Sequence, residues 1–198
     1  MFRELLARDD VEEMLELRGP VGFLAFHGGA LERVTDVVAN EAAERADASL
    51  YAIRLPEGAP HVPSTLVDPA HSHKLRAFLA HVRVAIAVHG YGREDRMRHV
   101  LIGGRNRRLA THLRTHLAAA LPDYEHVEDL DGIPPELRGL HPDNPVNRPP
   151  EAGAQLELPP ALRWHREHWG WSDTPPIGRA PQVETLIDAL ATAARTWQ

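Results

Sequence analysis

Two apolar runs along the chain each end on a histidine that is followed by glycine. The first covers residues 21–26 and ends at His27, and the second covers residues 82–88, apolar except for Arg83, and ends at His89. Short apolar runs bounded by turn residues are typical of buried strands, and the β-branched residues of the second run favour the same structure. We therefore expect two central strands that each carry a histidine at the carboxyl end.

Helical and extended patterns alternate along the rest of the sequence. Helices are predicted over residues 3–18, 31–47, 69–80, 105–121, 160–169 and 181–197. Further strands are predicted over residues 48–55, 98–102, 124–127 and 154–158, with a short extended piece over residues 62–66. This alternation predicts an α/β fold with a single mixed, mostly parallel sheet flanked by helices on both faces. The length predicts one domain over residues 1–198.

The segment over residues 129–153 is rich in proline, glycine and asparagine. It is too long for a simple connection between two elements. Because binding and catalytic residues are often carried on loops, we interpret it as a candidate functional loop.

Charge and composition exclude several classes of function. The chain has 22 basic and 28 acidic residues, a net charge of −6, and no basic run, which argues against nucleic-acid binding as its main task. Cysteine is absent, so disulfides, thiolate metal ligands and a cysteine nucleophile are excluded. None of the serines lies in a G-x-S-x-G motif, so a hydrolase of this sequence is expected to use an activated water.

The sequence gives no indication of a membrane protein. No apolar run approaches the roughly 20 residues that a membrane span requires. The first ten residues include acids where a signal peptide would have its apolar core, and we therefore expect a cytoplasmic protein.

A metal site can be assembled from the two strand ends. His27 and Glu32 are five residues apart, which on one continuous helix would point them about 140° away from each other. Gly28 and Gly29 lie between them and allow the chain to fold back, so that both side chains can reach one point. If the strands that end in His27 and His89 are neighbours, their ends lie about 4.8 Å apart. Two histidines and a glutamate form a common ligand set of catalytic zinc, with a further position left for water.

Glu157 is an acid in an otherwise apolar strand, near its carboxyl end. This is where a general base beside the metal would lie. A partner in an ion pair, or a residue of an edge strand, is an equally simple interpretation of the same pattern.

The alternative to metal binding is that the histidines have structural roles. A single histidine at the end of a strand is more often a hydrogen-bonded structural residue, and spacing alone leaves this interpretation beside metal binding. His112 and His116 have the i, i+4 spacing of metal ligands, but they lie among leucines with no third ligand. We interpret them as part of a solvated helix face.

Six short motifs, taken jointly, resemble a known family. They are His27-Gly28-Gly29-Ala30-Leu31-Glu32, His61-Val62-Pro63-Ser64-Thr65, His89-Gly90-Tyr91-Gly92, Ile102-Gly103-Gly104-Arg105-Asn106, Asn144-Pro145-Val146-Asn147-Arg148 and Gly153-Ala154-Gln155-Leu156-Glu157. In this order they resemble the poly-γ-glutamate hydrolases, over a core of about residues 21–163. The predicted helices over residues 3–18 and 181–197 would pack on that core.

The resemblance implies a zinc carboxypeptidase-like core, of the phosphorylase/hydrolase-like type. It implies that zinc is held by His27, Glu32 and His89, and that Glu157 is the general base. No thiolate is needed for this site, in agreement with the absence of cysteine.

The same resemblance implies residues that bind substrate. Asn147 and Arg148 resemble the carboxypeptidase pair that grips a substrate carboxylate, a task that suits the forked guanidinium of arginine. His61 resembles a family histidine before a Ser-Thr pair that contacts substrate or supports the metal site. The other candidates for binding negative charge or polarising the scissile carbonyl are Arg93, Arg105 and Arg163.

These observations lead to a first hypothesis of a zinc-dependent amidohydrolase. Its substrate would be an acidic polymer or small molecule with γ-glutamyl amide bonds, and neither nucleic acid nor a membrane is expected as a partner. One alternative is a zinc carboxypeptidase acting on α-peptides. Another is a noncatalytic module that binds an anion at the glycine turns over residues 28–29 and 103–104.

Overall fold

Seven strands form one sheet through the middle of the protein, which the computed structural model describes over all 198 residues. The strands are β1 (Glu12–Glu16), β2 (Gly19–Gly29), β3 (Ala48–Leu55), β4 (Val84–Gly90), β5 (His99–Gly103), β6 (Glu125–Val127) and β7 (Gly153–Leu158). Their order across the sheet is β1-β3-β2-β4-β7-β5-β6.

The pairing within the sheet is mixed and mostly parallel. β2 pairs in parallel with β3 and with β4, β4 with β7, and β5 with β6. Only β1 with β3 and β5 with β7 are antiparallel. The fold class predicted from the sequence is therefore confirmed.

Helices cover both faces of the sheet. They are α1 (Phe2–Leu6), α2 (Thr35–Ala46), α3 (His73–His81), α4 (Arg107–Ala120), α5 (Pro160–Arg163) and α6 (Pro181–Thr196). Side chains alternate between the faces along a strand, so Phe23 of β2 packs in the larger core with α2, α4 and α6. Its neighbour Leu24 packs in a second core with α1 and α3. No helix of the protein is both long enough and apolar enough to span a lipid bilayer.

The helix predicted over residues 3–18 is wrong, because the chain makes only the short α1 and then the edge strand β1. The Glu, Met and Leu residues of β1 favour a helix by intrinsic propensity, but pairing with β3 overrides this preference. Side chains reinforce the pairing, since the Tyr51 hydroxyl donates to the Glu13 carboxylate at 2.7 Å and Arg54 pairs with Glu12.

The helix predicted over residues 160–169 is also wrong beyond Arg163. After α5 the chain forms a small hairpin of two strands, β8 (Trp164–His165) and β9 (Gly170–Trp171). The Trp164 and Trp171 rings pack edge to face across this hairpin with centroids 5.2 Å apart.

The connections near the carboxyl ends of the strands also differ in detail from the prediction. The helix predicted over residues 31–47 begins only at Thr35, so Glu32 lies in the turn that precedes α2. The piece predicted as extended over residues 62–66 contains a 3₁₀ turn, Ser64–Leu66. The long segment over residues 129–153 contains three more, Leu130–Gly132, Pro135–Leu137 and Pro145–Asn147.

Candidate active site

Three neighbouring strands bring His27, His89 and Glu157 to one edge of the sheet. β2 and β4 are hydrogen-bonded neighbours, and His89 of β4 lies directly opposite Glu157 of β7. The carboxyl ends of parallel strands are where open α/β sheets build their sites. All three side chains are buried, with at most 4% of each residue exposed.

The turn after β2 brings Glu32 back over the strand end. The Glu32 amide donates to the His27 carbonyl at 2.8 Å, and the Thr35 hydroxyl donates to the Glu32 carbonyl at 2.7 Å. Gly29 lies in the left-handed region with φ of +72° and donates its amide to the Asp36 carboxylate at 3.0 Å. The turn thus closes tightly enough to bring the Glu32 carboxylate between the two histidines.

Glu32 joins the two histidines into one cluster. Its Oε1 lies 2.7 Å from His27 Nδ1 and its Oε2 lies 3.2 Å from His89 Nδ1. The backbone amide of Gly90 donates to Oε2 at 3.0 Å. The potential ligand atoms of the three side chains all lie within 4.8 Å of one another, a separation that one ion can bridge.

The proton positions in this cluster favour a cation. His27 Nε2 lies 2.8 Å from the Val62 carbonyl, which can only accept, so Nε2 carries the proton. In the neutral imidazole, Nδ1 is then an acceptor facing a carboxylate oxygen, and the two need either a second proton or a metal ion between them. Tying the far nitrogen of a histidine to a carbonyl is how proteins orient metal-binding imidazoles. The cluster therefore fits a divalent metal.

The charges of the cluster support each other. Burial acts to raise the pKa of Glu32, but the His89 and His27 imidazoles hold that pKa well below its usual range. Burial acts to lower the pKa of His27, and the Glu32 carboxylate more than offsets this, so that the His27 pKa is raised. The cluster therefore presents an ionised carboxylate to a bound cation.

The pKa of Glu157 is shifted in the opposite direction from that of Glu32. Burial raises the pKa of Glu157 well above its usual range, and the negative charge of Glu32 adds to the effect. One of its oxygens, Oε1, accepts a hydrogen bond from Gln155 at 2.9 Å. Two carboxylates whose pKa values are shifted in opposite directions are the usual arrangement in acid–base catalysis.

The cluster and Glu157 lie in the wall of a cavity of about 630 Å³. The segment over residues 129–153 supplies the facing wall with Glu136, Leu140 and His141 among others. His61 also lines the cavity, with its ring centroid 4.6 Å from that of His27. Burial lowers the pKa of His61, so its imidazole is neutral at pH 7.

Arg163 lies behind the cluster rather than in the cavity wall. It is only 4% exposed and donates to the Arg33 carbonyl at 2.9 Å and to the Tyr91 carbonyl at 3.0 Å. Its guanidinium also packs on the Trp171 ring, 5.1 Å from the centroid. Arg163 thereby ties together the backbone segments that follow Glu32 and Gly90.

Of the predicted substrate residues only His61 lines the cavity, and Asn147, Arg105 and Arg148 lie outside it. The Asn147 amide donates to the Gly139 carbonyl at 2.7 Å and accepts from the backbone amide of Arg105 at 3.1 Å, so it holds the cavity wall from behind. The Arg105 side chain is exposed. Arg148 lies near Asp143 at 3.5 Å.

Arg93 pairs with a residue of the cavity wall, Glu136. It is placed at the rim, on the segment that follows His89 and Gly90.

Two buried amides near Glu157 were missed by the sequence analysis. Gln155 and Asn144 both line the cavity and hydrogen-bond to each other. The available signal was the spacing of Gln155, two residues before Glu157 on the same face of a strand. Asn144 opens one of the six motifs quoted above, but no spacing along the sequence relates it to Glu157.

The interpretation of His112 and His116 as a solvated helix face is wrong. Both residues are half-buried between α4 and α6, and His112 Nε2 lies 2.9 Å from the Ala193 carbonyl. The leucines beside them in the sequence face the larger core.

Gly28 is expected to be intolerant of a side chain. A Cβ at this position would lie 2.3 Å from Cβ of Asp36, the residue that holds the turn before Glu32. We expect Gly28→Ala to lower the free energy of unfolding by about 1–3 kcal/mol, as overpacking of a tight site does. Gly92→Ala is the matched control, since a Cβ added there would have no atom within 4 Å and the effect should stay within about 0.5 kcal/mol. Urea unfolding of both variants measures the difference, and equal stabilities would contradict the packing argument.

Comparisons with known proteins agree with this architecture. A family model described as poly-gamma-glutamate hydrolase matches residues 7–167. The fold is similar to that of a bacteriophage poly-gamma-glutamate hydrolase, with a TM-score of 0.77 and 23% identity over 93% of this chain and 87% of that chain. It is also similar to a zinc-free apo form of YndL, with a TM-score of 0.78 and 21% identity over 96% of this chain and 93% of that chain.

A more distant likeness extends to an N-formylglutamate amidohydrolase from Ralstonia eutropha. The TM-score is 0.59 and the identity 12%, over 95% of this chain and 96% of that chain. No curated protein has a matching sequence. At these identities the structural likenesses establish the fold.

Proposed function

The chain belongs to the poly-γ-glutamate hydrolase family, and from that premise we propose that it is a zinc-dependent hydrolase of γ-glutamyl amide bonds. Its activity as a hydrolase follows from the family. The proposal adds the metal, the scissile bond and the residues that act on it. The substrate is poly-γ-glutamate or a related acidic amide.

The observation that carries the proposal is the cluster of His27, Glu32 and His89. Two imidazole nitrogens and one carboxylate within reach of a single ion are the donors that catalytic zinc uses, and they leave room for water and substrate. His27 has its far nitrogen tied to the Val62 carbonyl, so its free nitrogen is aimed at the site before any metal binds. These three residues would hold the zinc.

Zinc bound there would act as a Lewis acid that polarises the scissile carbonyl and makes water acidic enough to be deprotonated near neutral pH. Glu157 takes the proton from the attacking water and passes it to the nitrogen of the departing amine. Its raised pKa suits both proton transfers. A carboxylate with a higher pKa takes the proton from water more readily, and the resulting carboxyl holds it until the amine leaves.

The cavity supports binding of a polar substrate. Its volume of about 630 Å³ accommodates a few residues of a chain, and the neutral His61 imidazole can hydrogen-bond to the substrate. Arg93 and Arg148 lie outside the lining, and each has an acidic neighbour, Glu136 and Asp143. We assign these arginines to carboxylates of an extended substrate that leaves the cavity at its rim.

The test is product analysis on poly-γ-glutamate and poly-α-glutamate of equal length, with and without a chelator. We expect cleavage of the γ-linked polymer only, loss of cleavage with chelator, and recovery when zinc is added back. Preferential cleavage of the α-linked polymer would replace the proposal by a zinc carboxypeptidase on α-peptides. Cleavage of the γ-linked polymer that resists exhaustive chelation would remove zinc from it.

A further inference from the structure

Two buried side-chain amides form a hydrogen-bonded chain that ends on Glu157. Asn144 Nδ2 donates to Gln155 Oε1 at 2.8 Å, and Gln155 Nε2 donates to Glu157 Oε1 at 2.9 Å. Asn144 is 3% exposed and Gln155 is 4% exposed, so neither depends on solvent for its partners. Both line the cavity beside the metal-binding cluster.

Independent partners fix the direction of this chain. The nitrogen of Gln155 also faces the Leu137 carbonyl at 3.4 Å, and because a carbonyl can only accept, the NH₂ group must be on that side. At the other end, Asn144 Oδ1 accepts from the Val146 amide at 3.3 Å, which turns the Asn144 NH₂ toward Gln155. Reversal of either amide would place acceptors against acceptors.

The backbone holds Gln155 in this position. Gln155 and Glu157 are two residues apart on β7 and therefore lie on the same face of the sheet. Gly139 closes over the Gln155 side chain with φ of +64°, and a Cβ there would lie 2.6 Å from Gln155 Oε1. The amide is confined between this turn and the strand, so the Glu157 oxygen that it binds is confined with it.

We propose that Gln155 is a positioning residue that aims the Glu157 carboxyl at the attacking water. The inference rests on the proposed function, in which Glu157 moves the proton. By occupying Oε1, the Gln155 amide leaves Oε2 as the oxygen that faces the reacting groups. Asn144 acts indirectly, by keeping the NH₂ group of Gln155 directed at Glu157.

Gln155→Met removes the donor and keeps a side chain of similar length. We expect kcat to fall about 10–100-fold, by analogy with the loss of a hydrogen-bond partner of a metal ligand, with KM changed less than about threefold. Zinc content should stay near that of the parent protein. The matched control is Gln182→Met. Gln182 is a half-buried residue of α6 whose side chain donates to the Trp164 carbonyl, and its replacement should leave kcat unchanged.

A double-mutant cycle separates positioning from a general structural effect. In single turnovers with enzyme in excess, Gln155→Met should slow the parent protein but add less than about threefold to the loss caused by Glu157→Gln, because it acts through Glu157. Full additivity of the two losses, or an unchanged kcat in Gln155→Met, would overturn the inference. Full activity of Glu157→Gln alone would instead overturn the role of Glu157 in the proposed function.

Asn144→Asp tests the same hydrogen bonds from the Asn144 end. It also tests the positioning role of Gln155 if the Gln155→Met variant does not fold. The aspartate keeps an oxygen for the Val146 amide but offers only acceptors to Gln155, so the Gln155 amide should reverse and present its oxygen to Glu157. We expect a loss of kcat similar to that of Gln155→Met. Activity equal to that of the parent protein would contradict the proposed chain.

Discussion

Glu157→Gln is expected to lower kcat by about 10³-fold while one zinc ion per chain remains bound. General acid–base catalysis typically contributes 10²–10⁴-fold, and the glutamine amide cannot take a proton from water at any accessible pH. The substitution preserves shape, and Glu157 contributes no atom to the cluster of His27, Glu32 and His89. Steady-state kinetics on the γ-linked polymer, with metal analysis of the same samples, measures both effects.

The same substitution is expected to stabilise the metal-free protein at alkaline pH. Burial raises the pKa of Glu157 above the value near 4.5 that it has in the unfolded chain. The contribution of this group to the free energy of unfolding is therefore fully present below pH 4.5 and is lost as pH rises through the folded pKa. Glutamine does not ionise and escapes this loss. With chelator present, urea unfolding should therefore show Glu157→Gln above the parent protein at pH 8, with the difference closing toward pH 4.5.

Glu136→Gln is the control for both measurements. Glu136 lines the same cavity but pairs with Arg93 at the rim, and no part of the proposed proton transfer passes through it. Its kcat should stay within a fewfold of the parent value. Parent-like turnover in Glu157→Gln would exclude Glu157 from the mechanism, and a loss of zinc in that variant would show that Glu157 supports metal binding instead.

The strands that carry the site were predictable because their signals are local. Residues 21–26 before His27 and 84–88 before His89 are continuous and apolar, as fully buried parallel strands require. Strand neighbours in an α/β sheet present their carboxyl ends at one edge. The two histidines converge once these strands are neighbours, which is a condition of the sequence prediction and is met by the pairing of β2 with β4. The approach of Glu32 follows from the glycine turn, although the turn precedes α2 and is not part of it.

The errors in the predicted fold come from long-range contacts. Residues of β1 have the composition of a helix and become a strand only because β3 offers an edge to pair with. The hairpin after Arg163 pairs Trp164 with Trp171, and Trp171 lies beyond the residues 160–169 over which the helix is predicted. Neither partner can be read from the local sequence.

The same limit applies to the surroundings of the site. The sequence identifies Arg163 as a cation available to substrate, whereas in the structure its guanidinium is committed to two backbone carbonyls and an indole ring. Asn147 is likewise committed to the backbone of the cavity wall. Residue type indicates what a side chain can bind, but the choice between substrate and protein is made by the packing of the loops around it.

Glu32→Gln is expected to weaken zinc binding by more than about 100-fold and to abolish turnover with it. Loss of an outer partner of a metal ligand alone costs 10–100-fold, and this change removes a charged ligand. The metal-free variant should still fold, because the glutamine oxygen can accept from the Gly90 amide and its NH₂ can donate to the unprotonated Nδ1 of His27. Competition for zinc against a chelator of known affinity measures the change.

The isosteric variants Glu157→Gln and Glu32→Gln then separate zinc binding from catalysis within one cavity. Glu157→Gln should keep zinc and lose turnover, whereas Glu32→Gln should lose both, with Glu136→Gln retaining both. Zinc affinity in Glu32→Gln equal to that of the parent protein would show that the carboxylate is not a ligand, and the cluster of His27, Glu32 and His89 would no longer account for the metal. The opposite pKa shifts of the Glu32 and Glu157 carboxyls can thus be compared directly through two single substitutions.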